Sequence, residues 1–248
     1  MEFTPLDLRT WNRREHFQHY LREAPCGYSL TRYLDVTERM ERAKAGGRRF
    51  YPAILWAVAT VCNRHAECRM ALRDGAPGTY DQVVPVYTVF HEETETFSTI
   101  WMEYDEDPDR FAARCRADAQ AYGGNLGFAA KPDCPENAVN VSMLPWSDFT
   151  SFQLNLAPGE YLLPIFTFGR AQREGGRIRL PASVQAHHAA MDGFHVCPRA
   201  GRAGDPAGYA LTHEGRPLLK QWAIFFRLWI QRGLWAGRGR LCGREDNP

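Results

Sequence analysis

The chain has 248 residues, of which 44% are hydrophobic and 24% charged, with a formal net charge of +1. That length and balance fit one large α/β domain in an ordinary soluble globular protein, with little room for a second full domain. The near-zero charge excludes the electrostatic footprint that nucleic acid or an anionic lipid surface would need.

In chain order, MEFTPLDLRTWNRREHF is charged from the start and has no apolar signal core. Trp11 to Leu21 has helical spacing, with Trp11, Phe17, Tyr20 and Leu21 able to share a face, and Pro25 to Gly27 ends it. Tyr28 to Val36 alternates as a strand does, and Thr37 is expected to cap a helix running to about Ala45, before Gly46 and Gly47. Tyr51 to Arg64 is apolar nearly all round, which predicts a central buried helix. Strands are expected at Val83 to Phe90 and Phe97 to Glu103, joined by the acidic turn HEETET, and an amphipathic helix at Asp109 to Tyr122. A Pro/Gly-punctuated stretch, Gly123 to Asn137, leads to four strand signals: AVNVSML, TSFQLNL, YLLPIFTFG and RIRLPASVQAHH. Helices and strands alternating unevenly, then a run of strands, predict an α/β (α+β) fold with a mostly antiparallel mixed sheet.

From Cys197 the composition breaks. CPRAGRAGDPAGYALTHEG has no amphipathic period, a short aromatic helix candidate follows at Leu218 to Leu234, and basic AGRGRLCGRED comes after it. The apolar run WAIFFRLWI is short of bilayer length and holds Arg227, so no membrane association is expected. The seven cysteines, Cys26, Cys62, Cys68, Cys115, Cys134, Cys197 and Cys242, are odd in number, scattered and without CxxC spacing. They read as free thiols in a reducing compartment, hence a cytoplasmic protein.

The chemistry concentrates in QAHHAAMDGFHV, Gln185 to Val196. Adjacent strand residues point to opposite faces, so His187 and His188 are poorly placed to share a metal, and there is no HExxH or Cys pair for a third ligand. No metal is expected. Two readings stay open. In one, Asp192-Gly193 makes a turn and His188 is a satisfied core histidine. In the other, one histidine at a strand end is a general base, since a neutral imidazole suits removal of a hydroxyl proton near neutral pH. Asp192 would then orient the base or pair with an arginine. No GxSxG, Walker loop or GxGxxG is present, so hydrolase, phosphotransfer and nucleotide-cofactor readings lack support. Group transfer to or from a hydroxyl is the best reading from chemistry alone, without a named substrate.

HHAAMDG fits HHxxxDG and resembles the signature of coenzyme-A-dependent acyltransferases. WNRREHFQHY, PCGYSLT, FYPAI, TVFHEETETFS, PENAVNVSMLPWSDF and LPASVQAHHAAMDGFHV resemble, in order, successive blocks of the trimeric chloramphenicol acetyltransferases. The resemblance runs from about Met1 to Val196. It implies a two-layer sandwich with helices packed on one side of the sheet, acetyl-CoA as co-substrate, chloramphenicol as acceptor, and a homotrimer in which the histidine of one subunit faces the pocket of its neighbour. It implies His188 as the base acting on the 3-hydroxyl, without a covalent acyl-enzyme, and Ser142 as the oxyanion donor. Asp192 and Arg13 are implied as a buried brace, costing about 3–5 kcal/mol to break from one side. Thr167 is implied to hold an ordered water.

Tyr20, Ala24, Cys26, Tyr28 and Phe97 match acceptor-pocket positions, and Tyr51 and Trp146 match positions near the coenzyme A channel. Tyr28 stands where phenylalanine is usual and Ala24 where leucine is frequent, which bears on acceptor preference. Taken singly, these aromatics would read as core and Arg13 as a solvated helix charge; the order of the blocks overturns that. His187 is expected to pack behind the sheet. After Val196 the family's amphipathic terminal helix is missing. The expectation is a catalytic unit, residues 1–196, and an atypical extension, residues 197–248, that replaces that helix. The alternatives are an O-acyltransferase for another hydroxylated acceptor and a catalytically impaired trimeric binding protein. A dihydrolipoamide acyltransferase is disfavoured, for want of a lipoyl domain and an Ala/Pro linker upstream.

Overall fold

The computed structural model describes residues 1–45, 49–156, 159 and 161–196. The expected extension, its aromatic helix candidate at Leu218 to Leu234, and Gly46-Gly47 lie outside the described residues. Among the described residues, ten strands and five helices run in the order β1 (Phe3–Pro5), α1 (Arg14–Gln18), β2 (Gly27–Asp35), α2 (Thr37–Ala45), α3 (Tyr51–Arg64), β3 (Met70–Arg73), β4 (Ala76–Tyr80), β5 (Val84–His91), β6 (Thr96–Trp101), α4 (Pro108–Tyr122), β7 (Ala138–Met143), β8 (Ile165–Phe168), β9 (Gln172–Glu174), β10 (Arg177–His187) and α5 (Gly193–Val196). The main sheet has the order β2-β10-β8-β7-β5-β6, with β9 also paired to β10. Only β5-β7 and β7-β8 are parallel, so the sheet is mixed and mostly antiparallel, as expected.

α3 is the centre of the core. Pro52 sits in its first turn, where a missing N–H costs nothing, and Ile54 through Cys62 are all buried. It packs against α4 and β5. Leu55 is wholly enclosed, so Leu55→Ala should cost about 2–5 kcal/mol, read as a lowered denaturant midpoint. α4 starts as its sequence dictates, with the Asp107 carboxylate accepting from the N–H groups of Asp109 and Arg110. No helix among the described residues is long and apolar enough to cross a membrane.

Several expectations need correction. Thr37 does not cap α2. Asp35 Oδ1 accepts from both the Thr37 N–H and its hydroxyl, while Thr37 Oγ1 accepts from Ile178 N–H at 2.7 Å. TSFQLNL is not a strand. It crosses the sheet face, where Phe152 N–H donates to Thr31 Oγ1, Phe152 O accepts from Ser183 Oγ, and Leu154 N–H donates to Gln185 Oε1. Side chains of the sheet thus satisfy backbone groups that a neighbouring strand would otherwise take. In YLLPIFTFG only Ile165–Phe168 pairs. A second, three-stranded sheet, β1-β4-β3, was not expected. Its turn residues Asp74 and Gly75 both have positive φ (53° and 75°), the geometry an Asp-Gly hairpin supplies readily.

Candidate active site

The helical pattern of Trp11 to Leu21 resolves into α1 followed by a single wide turn, His19–Glu23, of π type. Phe17 enters the core beside Trp11, whereas Tyr20 lies flat on the His188 ring, with centroids 3.8 Å apart and planes at 18°. Tyr28 meets the same imidazole edge-on at 5.5 Å. His188 is the first residue beyond β10, and its N–H donates to Cys26 O at 2.9 Å, tying the strand end to the segment before β2. Its Nδ1 is buried without a hydrogen-bond partner among the described residues.

His187 is not packed behind the sheet. It lines a cavity of about 470 Å³ together with Cys26, Tyr28, Asn140, Tyr161 and Gln185. Burial, and after it the proximity of His188, lowers its pKa from the usual 6.5. A neutral ring is consistent with its Nδ1 accepting from Ala189 N–H at 3.2 Å. The Asn140 amide donates to the Tyr161 phenol at 2.7 Å. Asn140, Gln185 and Tyr161 were not among the expected pocket residues. The period-two alternation of AVNVSM was the available signal, since it puts Asn140 on the face of Ser142.

Arg13 Nη1 donates to Asp192 Oδ2 at 2.5 Å. Asp192 Oδ1 accepts from Phe194 N–H at 2.9 Å and lies 2.9 Å from His195 Nδ1. Burial alone would raise the Asp192 pKa; the Arg13 hydrogen bond and the charges of His195 and Arg13 outweigh it and hold the carboxyl below its ordinary value. The two side chains keep 17% and 30% of their surface exposed, so the pair is less costly to break than a fully enclosed one. Asp192→Asn should cost about 1–3 kcal/mol at neutral pH. A depressed folded pKa gives stability that is present above the ordinary carboxylate range and lost as pH falls through the folded value. The gap between wild type and Asp192→Asn in denaturant melts should therefore close on acidification below about pH 4.

Ser142 lies on β7 opposite Thr167 of β8, which is buried, and its Oγ is 3.4 Å from Thr88 Oγ1. Phe97 on β6 and Trp146 after β7 belong to an exposed aromatic corner. Phe97 pairs across strands with Phe90 and touches Phe128, and the Trp146 ring meets Phe90 edge-on at 4.6 Å. Tyr51, at the start of α3, packs on Tyr87. Ala24 is exposed and outside the cavity lining.

The register decides which residues meet. Gln185 faces Ile165, which faces Asn140, so Ser142 is two strands away from β10 and four residues along from His187. At standard strand spacings Ser142 is about 16 Å from His187, and Phe97, four strands and six residues away, is about 28 Å from it; His188 lies one residue beyond His187. One chain therefore brings His188 together with Tyr20, Tyr28 and Cys26, but not with Ser142, Phe97 or Trp146.

This architecture matches a solved chloramphenicol acetyltransferase with a TM-score of 0.69 at 24% identity, covering 77% of this chain and 93% of that one. The fold is accordingly the coenzyme-A-dependent acyltransferase fold. The family model described as chloramphenicol acetyltransferase matches residues 1–200. The chloramphenicol acetyltransferase of Vibrio anguillarum is 49% identical over 199 residues, covering 79% of this chain and 90% of the relative. That of Campylobacter coli is 48% identical over 199 residues, covering 79% and 94%. The chain belongs to the chloramphenicol acetyltransferase family and is an acyltransferase.

Proposed function

We propose that the protein transfers the acetyl group of acetyl-CoA to the 3-hydroxyl of chloramphenicol and so confers resistance to it. The carrying observation is the family match over residues 1–200, which includes the HHAAMDG segment. In this reading His188 Nε2 removes the hydroxyl proton as that oxygen attacks the thioester carbonyl, with no acyl-enzyme. The tetrahedral oxyanion accepts a hydrogen bond from Ser142, Thr167 holds an ordered water beside it, and collapse expels coenzyme A, whose sulfur takes the proton from the imidazolium. The Arg13–Asp192 brace fixes the loop that follows the histidine. Tyr20, Cys26, Tyr28 and Phe97 line the acceptor pocket, with Ala24 at its margin, while Tyr51 and Trp146 adjoin the coenzyme A channel.

The separation of His188 from Ser142 within one chain supports a homotrimer in which each site combines two subunits. A cytoplasmic location and the division into a catalytic unit (1–196) and an extension (197–248) belong to the same proposal. A second reading, another hydroxylated acceptor, is favoured by one observation: the Tyr28 ring lines the cavity and touches His188, at a position where the family usually has phenylalanine. Thiol release from acetyl-CoA decides between them. Rapid release with chloramphenicol, with the 3-O-acetyl product seen by mass spectrometry, is the expected result. No turnover with chloramphenicol, but turnover with another alcohol, overturns it.

A further inference from the structure

Every strand on the main path of the sheet places a hydroxyl in one register row. Thr31 of β2 faces Ser183 of β10, Ser183 faces Thr167 of β8, and Thr167 faces Ser142 of β7. Thr88 of β5, one residue past the Tyr87–Val141 pair, continues the row and faces Thr99 of β6. Directly paired residues share a face, so all six hydroxyls lie on one side of the sheet. Val141, Phe166 and Val184, one position along, are buried in the core on the other.

The two ends of the row serve the backbone. Thr31 and Ser183 bond Phe152, and Thr99 donates to Phe128 O at 2.9 Å. The middle is different. Thr88 Oγ1 is 3.4 Å from Ser142 Oγ, and the Tyr51 phenol donates to the carbonyl of Val141, the residue before Ser142, at 3.4 Å. Burial, with Tyr87 and Cys115 nearby, raises the Tyr51 pKa far above the ordinary value, so the phenol stays a neutral donor.

An oxyanion donor must have its own hydrogen free and aimed outward. A serine hydroxyl rotates, and it points its hydrogen at substrate when another donor occupies its lone pair. We propose that Thr88 is a positioning residue whose hydroxyl donates to Ser142, so that the Ser142 hydrogen is left for the oxyanion. The bond polarises the Ser142 hydroxyl, which strengthens it as a donor. This rests on the acetyl-transfer reading above and on Ser142 acting in it.

Thr88→Val keeps the side-chain shape and deletes the hydroxyl, while Thr88→Ser keeps the hydroxyl. Steady-state thiol release, with trimer size and thermal unfolding followed alongside, should show kcat for Thr88→Val reduced about 3- to 10-fold, the worth of one hydrogen bond. KM for both substrates should stay within about twofold, and Thr88→Ser should recover most of the rate. Ser142→Ala is expected to lose about 10²–10³-fold. Adding Thr88→Val to Ser142→Ala should change the rate less than about twofold, because Thr88 then has nothing to aim. Independent, multiplying effects in the double variant overturn the positioning role, as does a Thr88→Ser as slow as Thr88→Val. If Thr88→Val does not fold, Thr88→Ala, alone and with Ser142→Ala, gives the same test. Full activity in Ser142→Ala overturns the oxyanion role itself, a result distinct from a slow Ser142→Ala beside an unaffected Thr88→Val.

Discussion

His188→Ala is expected to lower kcat for acetyl transfer by about 10²–10⁴-fold, the usual contribution of a positioned general base, with KM for both substrates changed only a few-fold. The structure makes this a clean substitution. The ring rests on the Tyr20 face and against the Tyr28 edge, and the anchoring hydrogen bond to Cys26 O comes from the backbone N–H, which alanine keeps. The aromatic platform therefore survives while the proton acceptor is lost. His187→Ala provides the contrast. Its imidazole accepts from Ala189 N–H and lines the cavity, so its removal loosens a turn and reshapes a wall. An effect on kcat below about tenfold is expected, in line with one neutral hydrogen bond. Thiol release measured on both variants checks the assignment; equal losses would transfer the base role or divide it.

Much of this was legible in the sequence, for identifiable reasons. The all-round apolar run Tyr51–Arg64 had no solution other than a buried helix, and α3 has those bounds. Asp192 and Arg13, 179 residues apart, were linked only by resemblance, and the ion pair between them is present. Elements that failed did so where local pattern and tertiary partner diverge. TSFQLNL alternates as a strand does, yet its backbone bonds go to Thr31, Ser183 and Gln185 side chains, which no reading of those seven residues reveals. The π-type turn that lays Tyr20 on His188 is invisible to a 3.6-residue period, and wide turns of this kind recur at functional sites. The hydroxyl row needed the register of six strands. Ser142 and Thr167 stood out singly, but Thr88 had no mark until it was placed beside them.

Register also sets the second large effect. Ser142 lies about 16 Å along the sheet from His187 in one chain, with His188 one residue beyond it, too far for a proton acceptor and an oxyanion donor to serve one reacting carbon. In a threefold ring whose interfaces each take the histidine from one subunit and the serine from the next, the two defects need not fall in the same site. Co-expressing His188→Ala with Ser142→Ala at equal levels should therefore restore about one quarter of wild-type activity, since a site is intact when a Ser142→Ala chain supplies the histidine and a His188→Ala chain the serine, each with a chance of about one half. Purified single variants, each about 10²-fold or more below wild type, set the background. Mixing them after folding, without subunit exchange, should give only their average. Two differently tagged chains, purified in tandem so that every trimer is mixed, should raise the recovered fraction to about one third, because either mixed composition leaves one intact interface of three. If tandem-purified mixed trimers remain at background, each site is built within a single chain, and the sheet geometry would have to close the His188–Ser142 gap by a rearrangement of β10 against β7.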